Sequence, residues 1–471
     1  MTTATLTNQM VIPRARVLSR KPGLTAAGKW GIFFIFCTAA CTGLALVAGF
    51  KTGLACMTAI GFLAAILGLY RPAVGLMGIS ILCTLDTLDR AILFTGGLFP
   101  WNTLNYWLLV VMFLSIAFMM KLNDPQSRLL ELGVIILLFG LLFTPVLVDG
   151  IETTLNVATF FGILAYFSRN ARNDSAWFWQ AVVSGIVGVG LGCAYLLGIS
   201  HFDPVNANAW AYFPVTAMFA VCLGFRFAPR KGNGQLLLAL LALVNLVWIF
   251  LIGSRGTLLV GLVCMVYLIF SMRSKVQKIG SIVFGTLLAL FMMLSFTALN
   301  QTAVHRINKL LDPEQSMTGR TSGRSDLAYG GLIIFQEHPF GVGTGGFTVA
   351  WAKMGFRESL SGYGYGASRE AHAGWIKILA EDGFLGFLAL AAFTISFTVL
   401  GWHKRRSGLF SVGLFVTCAL CVAWVSTEFA SKGLWFLAAG GTAILNMKGT
   451  AGLPPVPSPA AMPAVNPQER R

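Results

Sequence analysis

Long apolar stretches recur along almost the whole of this chain, and they constrain its fold more than any other feature. A helix crosses the roughly 30 Å hydrocarbon core of a bilayer in about 20 apolar residues. Of the residues, 56% are hydrophobic and 11% are charged, whereas soluble domains have about 25% charged residues. The sequence therefore predicts an all-α polytopic membrane protein with about 12–14 transmembrane helices.

Hydropathy separates strong candidate spans from weaker ones, in which the apolar run is short or interrupted by Gly and polar residues. The strong candidates are residues 30–50, 53–70, 104–120, 131–148, 177–199, 235–252, 279–298 and 383–401. The weaker candidates are residues 72–85, 153–168, 209–225, 257–272, 408–425 and 430–446.

Basic residues predict the orientation of these spans, because Lys and Arg are retained in cytoplasmic loops. With the N-terminus inside, most of the 34 Lys and Arg residues become cytoplasmic, including Arg71, Arg169, Arg226 and the cluster at 404–406. Both termini are then cytoplasmic. The net charge of +16 is explained by this bias and by contact with anionic membrane lipids, so we expect no nucleic acid partner.

The chain divides into a long membrane domain and two tails. Residues 1–29 form a basic cytoplasmic tail, residues 30–446 the transmembrane domain, and residues 447–471 a Pro/Ala-rich tail that is expected to be disordered because it cannot bury a core. No Gly-rich nucleotide loop followed by Lys and Ser/Thr is present in the sequence, which argues against an ATP-driven pump.

A large loop at about 299–382 is predicted outside the cytoplasm. It is too long and too rich in Gly, Arg and aromatic residues to be a simple connector. Leu327, Leu332 and Phe335 recur at near-helical spacing and predict a helix over 324–337, which is followed by a Pro/Gly turn.

The end of this loop leads directly into a predicted span. A single helix over 372–401 would be about 45 Å long, too long for one crossing. We therefore expect residues 372–382 to lie outside the membrane or along its surface. Glu381 is then four residues, about one helical turn, from Lys377, and the two are expected to form a modest ion pair.

Three sequence motifs occur in an order that resembles a known family. They are GSRG at 253–256, GRSDLAYGGLIIFQEHPFGVGTGGF at 323–347, and AHAGWIKILAEDGFLG at 371–386. Over roughly 200–400 the chain resembles the O-antigen ligase/polymerase superfamily of bacterial inner-membrane glycan transferases. The family pattern usually has His-Asn where this chain has His372 and Ala373.

The resemblance implies a GT-C-like glycosyltransferase architecture with its active site on the periplasmic face. It implies transfer of a glycan from undecaprenyl pyrophosphate to a sugar hydroxyl of a lipid or saccharide acceptor, without a metal ion or cofactor, and is compatible with partners in polysaccharide export. Ligase and polymerase remain equally open. The alternative is a polysaccharide or lipid transporter or flippase, although transporters usually have polar or broken helices at the midplane.

Arginine residues are the candidates for binding the pyrophosphate. The planar fork of Arg suits phosphate oxygens. Arg255, at the outer end of a span, and Arg324, at the start of the predicted loop helix, are predicted to be catalytic, although an Arg at a helix end can also be a snorkelling anchor. Arg306, Arg320 and Arg369 are predicted to contact the substrate, with simple solvated loop charges as the alternative.

His372 is the candidate for the residue that activates the acceptor hydroxyl, since His is suited to general base catalysis near neutral pH. It matches the functional histidine of the family. Trp375, one helical turn on, is predicted to stack on a sugar ring, whereas His338 precedes Pro and fits a structural role better. Gly343 is predicted to bring a backbone amide to phosphate or sugar, with a plain tight turn as the alternative.

Carboxylates offer a different chemistry, because paired acids catalyse glycoside hydrolysis. The acids of the predicted outer face are scattered in the sequence, without an Asp-x-Asp pair or metal-ligand spacing. This pattern favours metal-free transfer based on Arg and His. Asp86 and Asp89 remain open, either as acceptor-binding residues or as caps in the first loop.

Overall fold

The computed structural model describes residues 25–92, 124–196, 207–229, 233–252, 254–272, 278–280, 324–353, 373–426 and 431–447, and these ranges contain helices and turns but no strand. The helices are α1 (Ala26–Ala48), α2 (Phe50–Leu67), α3 (Pro72–Ile92), α4 (Pro125–Gly140), α5 (Leu147–Arg169), α6 (Asp174–Leu196), α7 (Ala207–Phe225), α8 (Gly234–Ile252), α9 (Arg255–Ser271), α10 (Arg324–Glu337), α11 (Phe347–Lys353), α12 (Gly374–Glu381), α13 (Gly383–His403), α14 (Phe410–Ser426) and α15 (Lys432–Asn446).

Six helices in the described ranges are long and apolar enough to cross a membrane, namely α1, α2, α5, α6, α8 and α13. Shorter apolar stretches lie in α3, α7, α9 and α14. The prediction of an all-α polytopic membrane protein is confirmed. Predicted span 104–120 and all but the first two residues of 279–298 lie outside the described residues, so the total number of spans stays a prediction.

Helix α15 lies at the centre of the bundle. Every residue from Lys432 to Leu445 is buried, against α3, α5, α7, α13 and α14. Small residues make this packing possible, because a Cβ atom at Gly440 would lie 2.4 Å from Leu223 Cδ1. The outer helices instead expose apolar side chains on the outside of the bundle, as Phe36 and Phe270 do.

Loops with many basic residues meet at one end of the bundle. Arg169 donates from Nη1 to the Gly68 carbonyl at 3.0 Å and from Nη2 to the Leu69 carbonyl at 2.9 Å. Arg226 donates in the same way to the Ser407 and Gly408 carbonyls, each at 3.1 Å. The fold thus brings together loops that the distribution of Lys and Arg assigns to the same side of the membrane. That this side is the cytoplasmic one stays a prediction.

The predicted continuous span over 131–148 is wrong. Helix α4 ends at Gly140, a turn follows, and α5 begins at Leu147. Pro145 explains part of the break, because proline disfavours helical backbone in the preceding residue and lacks an N–H donor. Irregular backbone is tolerated near a membrane where protein covers it, and here a loop from the second half of the chain packs on it.

Asp86 lies in a helix and not in a loop, which corrects its predicted placement. Helix α3 continues past the predicted boundary to Ile92, and Asp86 is 4% exposed within it. One carboxylate oxygen, Oδ1, lies 2.5 Å from Lys432 Nζ, and the other accepts from the Lys432 backbone N–H at 3.3 Å. Asp86 therefore pairs with the first residue of α15. The side chain of Asp89 lies outside the described part of the structure.

Candidate functional site

The segment 339–346, which we name the glycine loop, connects three parts of the fold at the end opposite the basic loops. The Val342 N–H donates to the Ala380 carbonyl at 3.0 Å, and the Gly343 N–H donates to the Glu381 carbonyl at 2.9 Å. The Phe384 N–H donates back to the Pro339 carbonyl at 3.1 Å. The loop is thereby fixed to the junction between α12 and α13.

Gly343 requires glycine for two reasons. Its φ is +94°, in the left-handed region that side chains rarely adopt, and a Cβ atom would lie 2.6 Å from the Thr144 backbone. Its amide donates to Glu381 within the protein, which fits the tight-turn alternative. The predicted contact between the Gly343 amide and substrate is not tested by this geometry and stays a prediction.

Thr344 joins the glycine loop to both neighbouring elements. Its side chain is fully buried, with Oγ1 2.9 Å from the Leu137 carbonyl of α4 and 2.5 Å from Asp382 Oδ1. A Cβ atom at Gly140 would lie 2.3 Å from Thr344 Oγ1 and 2.7 Å from Asp382 Oδ1. The α4 backbone can therefore approach this contact only because residue 140 has no side chain.

Glu381 and Asp382 are buried side by side next to the loop. Glu381 Oε1 accepts from the Phe347 N–H at 3.2 Å, at the start of α11. Glu381 Oε2 and Asp382 Oδ2 have no hydrogen-bond partner among the described residues. Burial raises the pKa of Glu381 despite the nearby charge of Lys377. Burial and the neighbouring Glu381 raise the pKa of Asp382 well above its usual range.

A cavity of about 1010 Å³ borders this acid pair. Its lining includes apolar side chains from α4 and the start of α13, such as Ile135, Phe139 and Leu385. It also includes polar and charged residues, namely Glu337, His338, Lys353, Glu381 and Asp382. Cavities with a mainly apolar lining and a few convergent polar groups are typical of ligand sites.

The acid pair corrects one expectation from the sequence. The expectation that the outer-face acids are scattered is wrong for Glu337, Glu381 and Asp382, which line one cavity. Glu381 is 1% exposed and the charge of Lys377 acts on its carboxyl, whereas the modest strength expected for this ion pair stays a prediction. The signal in the sequence that could have indicated this site is the acidic doublet directly before Gly383, at a predicted helix break.

Helices α10 and α12 run side by side in the same direction. A Cβ atom at Gly331 of α10 would lie 2.2 Å from Ile376 Cγ2 of α12. Eight residues later in each segment, the Phe384 N–H donates to the Pro339 carbonyl. Because a helix rises 1.5 Å per residue, Arg324 lies about 10 Å from Gly331 toward the start of α12. Arg324, the first residue of α10, therefore lies at the end of the bundle at which α12 begins. The predicted helix over 324–337 is confirmed.

Arg255 is the first residue of α9, at the same end of the bundle. Tyr267 stacks on Phe415 of α14 with ring centroids 4.3 Å apart. Helices α9 and α14 are antiparallel. Measured toward the same end of the bundle, Arg255 lies about 18 Å from Tyr267 along α9, and Trp424 lies about 14 Å from Phe415 along α14. The start of α9 is therefore nearly level with Trp424. The side chains of Arg255 and Arg324 lie outside the described part of the structure.

Trp375 connects the start of α12 to α14. Its ring makes an edge contact with Trp424, with centroids 5.4 Å apart, and with Phe387 at 5.7 Å. Its Nε1 lies 3.5 Å from the Cys421 carbonyl. The half-buried ring thus helps to fix α12 on the bundle, and its predicted stacking on a sugar stays a prediction.

The remaining predicted site residues are His372, Arg306, Arg320 and Arg369, and all four lie outside the described residues. Ala373, which follows His372 in the chain, immediately precedes α12. The predicted division between residues 372–382 and the following span is confirmed, since α12 ends at Glu381 and α13 begins at Gly383. The location of α12 relative to a membrane surface stays a prediction.

The described fold and site define a multi-pass membrane protein in which several helix starts and a cavity with a few charged groups lie at one end. Residues 237–391 match the family model described as O-antigen ligase. This segment extends from α8 into α13 and includes the glycine loop, the acid pair and the starts of α9, α10 and α12. The resemblance to the O-antigen ligase/polymerase superfamily is confirmed.

A curated relative supports the same assignment. The chain is 24% identical over 213 residues to a protein named O-antigen polymerase from Salmonella muenchen. The match includes 42% of this chain and 51% of that protein. The chain thus matches about half the length of this relative.

Proposed function

We propose that this protein transfers a glycan from undecaprenyl pyrophosphate to a sugar hydroxyl of a lipid or saccharide acceptor, as a ligase or a polymerase. The reaction takes place at the periplasmic face of the bacterial inner membrane, with both termini in the cytoplasm. One observation carries the proposal: the segment that matches O-antigen ligases contains the helix starts and the cavity that the fold gathers at one end.

The leaving group of this reaction is a lipid pyrophosphate, which needs positive charge. Arg255 and Arg324 are each the first residue of a helix. The first amides of a helix are unsatisfied within it and give its N-terminus a partial positive charge. Arg side chains at two such positions bind and orient phosphate oxygens. Arg306, Arg320 and Arg369 complete the proposed donor site from the surrounding loop.

His372 is proposed as the general base for the acceptor. Its imidazole takes the proton of the acceptor hydroxyl while the hydroxyl oxygen forms a bond to the anomeric carbon. The bond from that carbon to the pyrophosphate oxygen breaks, and the lipid pyrophosphate leaves with the electron pair. Trp375 and Gly343 are proposed to contact the sugars. This mechanism requires no metal ion.

Transfer by the purified protein in detergent tests the function and the metal-free mechanism together. We expect conversion of a lipid-pyrophosphate glycan and an acceptor to product, with the same rate in EDTA. A transporter would need two compartments and would give no product in detergent. Complete loss in EDTA with recovery in a divalent cation would contradict the metal-free mechanism.

The side of the reaction is tested with the same substrates. In sealed vesicles with a known orientation of the protein, transfer is expected when donor and acceptor are on the side opposite the 404–406 cluster. Transfer from the other side would place the active site in the cytoplasm.

Arg255→Lys is expected to retain part of donor binding but lose most turnover, because an ammonium group keeps the charge without the bidentate fork. The matched control is Arg172→Lys, which changes an exposed arginine at the opposite end of the bundle. The measurements are donor affinity and single-turnover rate of the purified proteins. A wild-type rate for Arg255→Lys would remove the guanidinium from the mechanism.

A further inference from the structure

The Thr344 hydroxyl is shared between two oxygen atoms that both lie within hydrogen-bond distance. Oγ1 is 2.9 Å from the Leu137 carbonyl oxygen and 2.5 Å from Asp382 Oδ1. A hydroxyl group has one proton to donate, and a carbonyl oxygen can only accept. If the Thr344 proton is donated to Leu137, the second contact is a hydrogen bond only when Asp382 carries a proton.

The surroundings of Asp382 favour this arrangement. Its carboxyl is buried, and an ionised carboxylate there would face an unfavourable desolvation cost and the charge of Glu381. Glu381 is better able to hold a negative charge, since its Oε1 accepts from the Phe347 N–H at 3.2 Å and the Gly345 amide and the charge of Lys377 also favour its ionised form. When the pair shares one proton, these contacts favour Asp382 as the residue that carries it.

We propose that Asp382 is a protonated positioning residue, which donates to Thr344 Oγ1 and thereby fixes the glycine loop and the α12–α13 junction to the end of α4. We name this contact the Asp382–Thr344 latch. It connects segments 207 and 38 residues apart in the chain. Through the glycine loop, it also supports the backbone bonds from Val342 and Gly343 to the end of α12.

The latch acts on the proposed reaction through α12. This helix has eight residues, about 12 Å, with Asp382 after its last residue and Trp375 in its first turn. His372 precedes it in the chain. Loss of the latch is therefore expected to disturb the orientation of the start of α12 and to lower kcat more than it raises KM. This part rests on the proposed glycan transfer, whereas the protonation of Asp382 does not.

The latch predicts a specific dependence of stability on pH. Folding raises the pKa of Asp382. The contribution of protonated Asp382 to the stability of the folded protein is therefore complete below the ordinary pKa of Asp, and it is lost as the pH rises through the raised pKa of the folded state. Other groups near the cavity and the acid pair also titrate or carry charge. They are Glu381, Lys377, Asp149, Glu337, His338 and Lys353. The effect of Asp382 is therefore measured as a difference between variants.

Asp382→Asn provides that difference, because its neutral amide can donate to Thr344 at any pH. In thermal unfolding scans of the full-length purified proteins, we expect the Tm of Asp382→Asn to be equal to or below that of wild type at low pH. At alkaline pH we expect it to be above that of wild type. Glu131→Gln, which removes an exposed carboxylate of α4, should follow the wild-type pH profile. A constant Tm difference between wild type and Asp382→Asn at all pH values would overturn the proposal.

Infrared spectroscopy detects the proton directly. Wild-type protein at neutral pH should show the carbonyl band of a protonated carboxylic acid, and Asp382→Asn should lose intensity in it, whereas Glu131→Gln should not. An unchanged band in Asp382→Asn would show an ionised Asp382 and reject the latch.

Thr344 variants and activity complete the test. Thr344→Ser should retain the wild-type Tm and transfer rate, and Thr344→Val should lower both Tm and kcat with little change in KM. If Thr344→Val is too unstable to purify, Thr344→Ser and Asp382→Asn still decide the question through their pH profiles. If wild type transfers no glycan while the infrared and Tm results hold, the proposed function fails and the latch stands.

Discussion

His372→Ala is expected to lower the rate of glycan transfer about 10²–10⁴-fold, the usual contribution of a positioned general base. The expectation rests on the place of His372 in the ligase-matching segment and directly before α12. An alanine at this position removes the proton acceptor but leaves the proposed arginine site for the donor. Donor binding should therefore remain close to wild type. The measurement is single-turnover transfer by purified, monodisperse protein, with donor binding assayed in parallel.

Two other histidines provide controls for this experiment. His403→Ala changes an exposed residue at the opposite end of α13 and should have wild-type activity. His338→Ala changes an exposed residue at the cavity, and its activity should fall only as far as the yield of folded protein falls. A fully active His372→Ala would assign the general base to another group. Glu381 would be the next candidate, because it lines the cavity and its Oε2 has no hydrogen-bond partner within the part of the chain that the structure describes.

Asp86→Ala is expected to destabilise the protein by about 3–5 kcal/mol, because it leaves the buried charge of Lys432 without its partner. The Lys432 side chain is fully buried and lies 2.5 Å from Asp86. Replacing both residues with apolar side chains, as in Asp86→Leu with Lys432→Met, should recover most of the loss. The measurement is the apparent free energy of unfolding in detergent micelles.

The exposed Glu131 again gives a matched comparison, and Glu131→Ala should change the unfolding free energy by no more than about 0.5 kcal/mol. If Asp86→Ala is as stable as Glu131→Ala, the pair does not hold α3 to the start of α15. A double variant that is no better than Asp86→Ala would instead indicate that the packing, and not the charge, is lost.

The sequence predicted the elements that depend on local pattern. Apolar spacing was sufficient for the helix at Arg324–Glu337, and the length limit of one membrane crossing was sufficient for the break between α12 and α13. Local pattern was misleading at 131–148, where the apolar run continues through a turn. The end of α4 before that turn is bound by Thr344, which is 207 residues from Leu137, and no window of sequence around the turn contains this information.

The sequence by itself determined that this is an all-α membrane protein and which motifs resemble glycan ligases, because these properties depend on nearby residues and on composition. The tertiary structure decided which buried polar groups lie in contact with one another. It paired Asp86 with Lys432 across 346 residues and placed Asp382 against Thr344. The energy of a charge depends on its partners and on its distance from solvent, and both are fixed only when distant helices pack together.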